Sequence, residues 1–195
     1  MKGLSFFKPQ SNTITVLQSK DMGIIKKMAN QLALECQSPF EPPIIHVPTG
    51  LPSNFLSPLL MGVSGMLYGY RAFNVIDTTN EYETVKDVMA KSNNHGTYLL
   101  SVLDGPNIGF IEAFCRMKYI MNYCNVSITI CIFCEISNFQ SVQSSGLVDY
   151  LLDMTEINGE VVLNPLRFSD PSRYYNPIRL IEDPSNELYP YRMKV

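Results

Sequence analysis

Apolar and polar positions fall in regular blocks along the chain, and the most regular block runs from Gly96 to Asn138. Thr97 to Leu103 is a short apolar run ending on Asp104-Gly105-Pro106-Asn107, residues that make tight turns. From Ile108 to Tyr123, Ile108, Ile111, Phe114, Cys115, Lys118, Tyr119 and Asn122 recur at helical spacing. Ser127 to Phe133 is β-branched and almost wholly apolar, which predicts a second strand. Two continuous apolar strands around one helix predict a parallel sheet covered on both faces. An acidic residue closing such a strand sits where open α/β sheets bind ligands.

The same reading extends to the rest of the chain. Thr13 to Gln18 alternates weakly and predicts a strand. A helix from about Met22 to Cys36 follows, capped by Ser19 or Asp21, with Ile24, Ile25, Met28, Leu32 and Ala33 on its apolar face. The prolines of Ser38 to Pro43 break that helix, because they cannot donate to its ladder. Pro43 to Pro48 is a short strand, which runs into Thr49-Gly50-Leu51-Pro52-Ser53-Asn54 and then an apolar helical stretch from Phe55 to Tyr70. Ala72 to Ile76 is a strand closing on Asp77, and Glu81 to Lys91 a helix with Tyr82, Val85, Val88 and Met89 inward. Leu147 to Met154 is a strand or short helix. Asn158-Gly159 marks a hairpin whose return strand is Val161 to Phe168, with Pro165 at an edge or bulge. The tail from Ser169 is rich in Pro, Tyr and Arg. It fits edge strands at Ile178 to Ile181 and Leu188 to Met193, or a segment docked on a partner. The expectation is one α/β domain over residues 1–195, with a mainly parallel central sheet and a C-terminal β-hairpin.

Composition narrows the function classes. With 46% hydrophobic and 17% charged residues the chain has the makings of a well-buried globule. A net charge of −3 gives no overall attraction for a polyanion, so nucleic-acid contact needs a local patch. Arg167, Arg173 and Arg179, interleaved with tyrosines, are candidates for such a patch or for a partner contact. The five cysteines are an odd number, and four lie on predicted buried elements. They read as reduced core residues of a nuclear or cytoplasmic protein. Cys131 and Cys134 form a C-x-x-C, but on a strand and without a second pair at zinc-site spacing. No apolar run reaches the roughly 18 residues of a membrane span, and the apolar stretch at the N-terminus is too short for a signal peptide.

The order is strand, Thr-Gly loop, helix, strand with Asp, helix, strand with Asp, helix, strand with polar tip, hairpin. It resembles the RecA-type P-loop ATPase core, and within it the small recombinase paralogs that assist strand-exchange filaments. The likeness covers roughly Pro43 to Phe168, with Thr13 to Cys36 as an N-terminal strand and helix. It implies a three-layer RecA-like domain. It also implies a phosphate loop at Thr49, Gly50, Leu51, Pro52, Ser53 and Asn54, a Walker-B-like carboxylate at Asp104 and a γ-phosphate sensor position at Glu135. A working phosphate loop needs a lysine after its last glycine, to reach the phosphate oxygens. With Gly50 as that glycine, the lysine position is Leu51 and the hydroxyl position Pro52. A shift of two places Ser53 and Asn54 there. Neither register keeps the lysine, and Glu135 would repel phosphate. Asp104 also reads simply as the turn residue of D-G-P-N.

The resemblance therefore implies a non-catalytic subunit without a bound cofactor, ATP with Mg²⁺ being only weakly supported. It would form a heterodimer or larger complex with an ATPase-competent paralog and assist recombinase filaments on single-stranded DNA in homologous recombination and DNA repair. Two other classes remain. One is an enzyme: a divergent nucleotide hydrolase or DNA translocase, or a Mg-dependent nuclease using Asp77, Asp104 and Glu135 gathered at one sheet edge. The other is a structural subunit of a different RecA-like ring. His46 reads as a satisfied core histidine rather than a base.

Overall fold

The computed structural model describes residues 11–36, 43–47, 74–92, 96–103, 105, 107–136, 148–168, 178–182 and 188–190. Among them nine strands form one sheet: β1 (Ile14–Ser19), β2 (Ile44–His46), β3 (Asn74–Ile76), β4 (Thr97–Leu103), β5 (Ile128–Glu135), β6 (Tyr150–Ile157), β7 (Glu160–Phe168), β8 (Ile178–Glu182) and β9 (Leu188–Pro190). The spatial order is β3-β2-β4-β5-β1-β6-β7-β8-β9. The six strands from β3 to β6 pair in parallel, and β7, β8 and β9 continue the sheet by antiparallel pairing. The described helices are α1 (Met22–Glu35), α2 (Glu81–Lys91) and α3 (Ile108–Tyr123).

The first strand is the main departure from expectation. Rather than an addition to a core beginning at Pro43, β1 lies inside the sheet, between β5 and β6. All six of its residues are buried, including Thr15, Gln18 and Ser19. A strand covered on both faces has no solvent side, so its hydrophobic pattern shows little of the alternation that marks a half-exposed strand.

Connection direction then decides which helix covers which face. The chain runs from β1 across the sheet to β2 in one sense, and from β3 to β4 to β5 in the other. Right-handed crossovers therefore send α1 to one face and α2 and α3 to the opposite one. The core divides accordingly. Ile25, Met28 and Leu32 of α1 cluster with Leu17, Leu100, Val102 and Phe133. Phe110, Phe114 and Met117 of α3 and Val88 of α2 cluster with Val16, Leu99, Ile130 and Ile132. Neighbours such as Val16 and Leu17 fall into different clusters because successive strand side chains point to opposite faces.

The α1 apolar face is the expected one, with Ile24, Ile25, Met28, Leu32 and Ala33 all buried. The other two helices are rotated from expectation. In α3 the buried stripe is Phe110, Ile111, Phe114, Met117 and Met121, while Ile108 and Tyr119 are exposed. In α2, Thr84 and Val88 are buried, while Tyr82 and Met89 are exposed. Thr84 tolerates burial because its hydroxyl donates to the Asn80 carbonyl at 2.9 Å. Both helices begin on asparagine caps: Asn80 accepts from the Glu83 N–H and Asn107 from the Phe110 N–H.

The hairpin signal is realised in full. Asn158 and Gly159 take φ of 56° and 80°, the two positive values of a type I′ turn between β6 and β7. The expected irregularity at Pro165 is a bulge: Leu152 pairs with Pro165 but Leu151 with Arg167. Residues 147–154, left open between strand and helix, contain the start of a strand at Tyr150.

One polar contact fixes where β1 enters the sheet. The Asp149 carboxylate accepts from the Ile14 N–H at 2.7 Å and from Lys118 Nζ at 2.8 Å. The Asp149 N–H returns a bond to the Ile14 carbonyl at 3.0 Å. The Lys118 and Asp149 side chains are only 18% and 27% exposed. Asp149→Ala strands a partly buried ammonium and a backbone donor together, with an expected loss of about 2–3 kcal/mol in urea unfolding. Lys118→Met, which keeps the stem and the backbone bonds, should cost less than half of that.

Candidate functional site

In an open parallel sheet the ligand crevice lies beyond the carboxyl ends of strands whose connections diverge. Here the chain leaves β1 toward β2 but passes from β5 over β1 to β6, so the divergence falls at the ends of β1 and β5. Register sets Ser19 opposite Glu135, and Gln18 opposite both Cys134 and Asp153. The floor of the candidate site is therefore Gln18, Ser19, Glu135 and Asp153, with Lys20 and Asp21 above it.

Gln18, Ser19, Asp21 and Asp153 are bonded within the fold. Ser19 Oγ donates to the Met154 carbonyl at 2.8 Å and accepts from the Asp21 N–H at 3.1 Å. The Ser19 carbonyl accepts from the Ile136 N–H at 2.8 Å. Gln18 Nε2 donates to Asp153 Oδ1 at 3.5 Å. The Asp21 carboxylate accepts from the Gly23 N–H at 2.7 Å, so the α1 N-terminus is capped from within the chain. An anion approaching that helix end meets a carboxylate already in place. Only Lys20 and Asp21 separate β1 from α1. Two residues cannot supply the run of glycine-released N–H groups that wraps a phosphate.

The expected site residues distribute as follows. Glu135 is half-buried at the end of β5, beside Ser19 in register and hence at the crevice. The phosphate-loop positions Thr49, Gly50, Leu51, Pro52, Ser53 and Asn54, the Walker-B-like Asp104, and Arg173 lie outside the described residues. The strand leading toward Gly50 is β2, separated from β5 by β4, so the divergence point belongs to a different strand from the one the motif reading used. Arg167 pairs in register with Leu151, and Arg179 with Val162, on the adjoining strands β7 and β8. In the sequence Asp21 reads only as a helix cap, and Lys20 carries no signal of its own. Their place beside the most buried strands becomes visible only once β1 is known to be central.

One constellation is corrected by strand order. The strands β3, β4 and β5 are not three successive strands of the sheet, because β2 lies between β3 and β4. Asp77 follows β3 at the sheet edge, three positions from β5. At about 4.8 Å per strand those ends are about 14 Å apart, against about 4 Å between metals in a two-metal site. Among the described residues no group of three or more His, Cys, Asp or Glu could hold a metal ion. Cys131 and Cys134 belong to opposite core clusters, so the C-x-x-C pair is split across β5. Burial pushes the Cys134 thiol up to about 12 and raises Cys131 as well, which keeps both protonated and inert.

His46 forms a second polar knot, away from the crevice. It is fully buried against Phe110 and Phe114, with ring centroids at 4.8 and 5.9 Å. Its Nδ1 lies 2.8 Å from Ser101 Oγ and its Nε2 3.0 Å from the Thr78 carbonyl. A carbonyl can only accept, so Nε2 carries the proton and Nδ1 accepts from the serine. Every polar atom of the ring is satisfied, as expected of a core histidine.

No helix among the described residues is long and apolar enough to cross a membrane. No protein-family model and no curated protein matches the chain.

Burial lowers the His46 pKa below its usual value, while the bond to Thr78 raises it less. The unfolded chain thus binds the proton more readily, and stability is fully present above the unfolded value of about 6.5 and declines as pH falls through it. Urea midpoints measured from about pH 8 to about pH 5.5 should be flat at the upper end and drop below about pH 6.5. His46→Gln, although less stable overall, should lose most of that slope.

Proposed function

We propose that this chain is a non-catalytic, RecA-like subunit that pairs with an ATPase-competent paralog and assists recombinase filaments on single-stranded DNA. The reading takes the sheet, with α1 on one face and α2 and α3 on the other, as a three-layer RecA-like core. Six parallel strands with the first set among them, followed by an antiparallel extension, support it.

One observation carries the non-catalytic part. At the divergence point the helix N-terminus that would hold a phosphate follows its strand after two residues and is capped by Asp21. Glu135 adds a second carboxylate at the same edge. The missing lysine in Thr49 to Asn54 agrees with this. A body of this kind acts by binding. The net charge of −3 favours DNA contact through the partner, with Arg167 and Arg179 on adjoining strands as the local exception.

The purified chain should show no saturable binding of a fluorescent ATP analogue with Mg²⁺ up to about 1 mM, a limit corresponding to about −4 kcal/mol. Affinity capture of the tagged chain followed by mass spectrometry should recover a RecA-like ATPase. Micromolar nucleotide binding, or capture of a complex without such an ATPase, counts against the proposal.

A further inference from the structure

The outward face of α3 is apolar where a solvated helix would be polar. Ile108, Tyr119, Ile120 and Tyr123 are 51%, 76%, 48% and 85% exposed, and Tyr82 of α2 is 74% exposed. Helical spacing puts the four α3 residues along one side, with Glu112 and Arg116 between them. A groove of about 330 Å³ between α2 and α3, lined by Tyr82, Val85, Ala113, Met117 and Ile120, continues this surface. The three tyrosines alone leave on the order of 450 Å² uncovered, at about 200 Å² each. That is more than half of the roughly 800 Å² per partner of a stable interface. Tyrosine and arginine are also the side chains that dominate interface energetics.

The order of residues along the stripe is self-complementary. We propose that two copies of this chain pair through α3 about a twofold axis, the helices antiparallel and centred midway between Glu112 and Arg116. In that register Glu112 of each copy meets Arg116 of the other, and Ile108 meets Ile120. Tyr119 lies over Gly109, beside the Glu81 carboxylate that covers that glycine. Within one chain Glu112 and Arg116 are 3.7 Å apart with side chains 47% and 81% exposed, so the pair is free to exchange partners across the axis. A twofold contact needs this reciprocity: what residue i offers, residue j must accept. Antiparallel helices also oppose their dipoles favourably. On α2, which flanks α3, the acidic first turn (Glu81, Glu83) and the terminal Lys91 repeat the same polarity. The pairing does not rest on the recombination role proposed above, since either can hold without the other.

Sedimentation equilibrium of the full chain from about 1 to about 100 µM should show a dimer with a micromolar dissociation constant. Arg116→Glu sets like charges against each other and should weaken the dimer at least about tenfold. Glu112→Arg with Arg116→Glu reverses both partners and should restore affinity to within about threefold. Thermal melts check that each variant is folded. Should Arg116→Glu fail to fold, Tyr119→Ala takes its place, with an expected weakening of about tenfold. A wild-type chain that stays monomeric at about 100 µM overturns the proposal and assigns the face to an unlike partner. A folded double variant that binds no better than Arg116→Glu overturns it too, as does an unchanged dimer in folded Tyr119→Ala.

Discussion

The fold depends on β1 being held along both edges at once. Its six residues pair with β5 on one side, and Thr15 to Gln18 also pair with β6 on the other. No residue of the strand reaches solvent. Its apolar side chains divide between the two core clusters, Leu17 toward α1 and Ile14 and Val16 toward α3. Without it, the β3-β2-β4-β5 half and the β6-to-β9 half share no strand pairing. The Asp149 contact acts at this seam, fastening the start of β1 to the start of β6 and to α3.

The same strand sets the chemistry of the carboxyl edge. A central parallel strand followed by a helix is the usual platform for an anion. Here that platform is short and already satisfied by Ser19 and Asp21. Of the described residues, those at the crevice add carboxylates, Glu135 and Asp153, on either side. Gln18, Ser19 and Asp21 thus serve to close the fold, and among the described residues an exposed apolar surface lies elsewhere, on the outer side of α2 and α3.

Much of the architecture was legible in the sequence, because strands and helices announce themselves through local periodicity. The α1 face, the Asn158-Gly159 turn, the Pro165 irregularity and the enclosed His46 all followed from neighbouring residues. Strand order did not, because it is set by pairings between residues far apart. Asp77, Asp104 and Glu135 close strands that are consecutive along the chain, but the sheet inserts β2 between β3 and β4. The phases of α2 and α3 were misread for a different reason. In α3 the apolar positions exceed one buried face, so Ile108 and Tyr119 fitted a stripe that packing assigns to Phe110 and Met117, while in α2 Val88 is buried as expected and the other buried position is the polar Thr84, which apolar periodicity does not count. Glu135 is legible as a strand tip, while Ser19, its partner in register, reads in the sequence only as a candidate helix cap.

The distance along the chain between the edges of β1 also has a temporal side. Ile14 and Asp149 are separated by 135 residues, and the hydrogen bond between them joins nearly the whole span of the core. During synthesis at about 5–20 residues per second, the first strand emerges roughly ten seconds before its last neighbour. For that interval a β-branched segment with both hydrogen-bonding edges open has no native place to go. The growing chain must shelter β1 from other chains until β5 and β6 have been made.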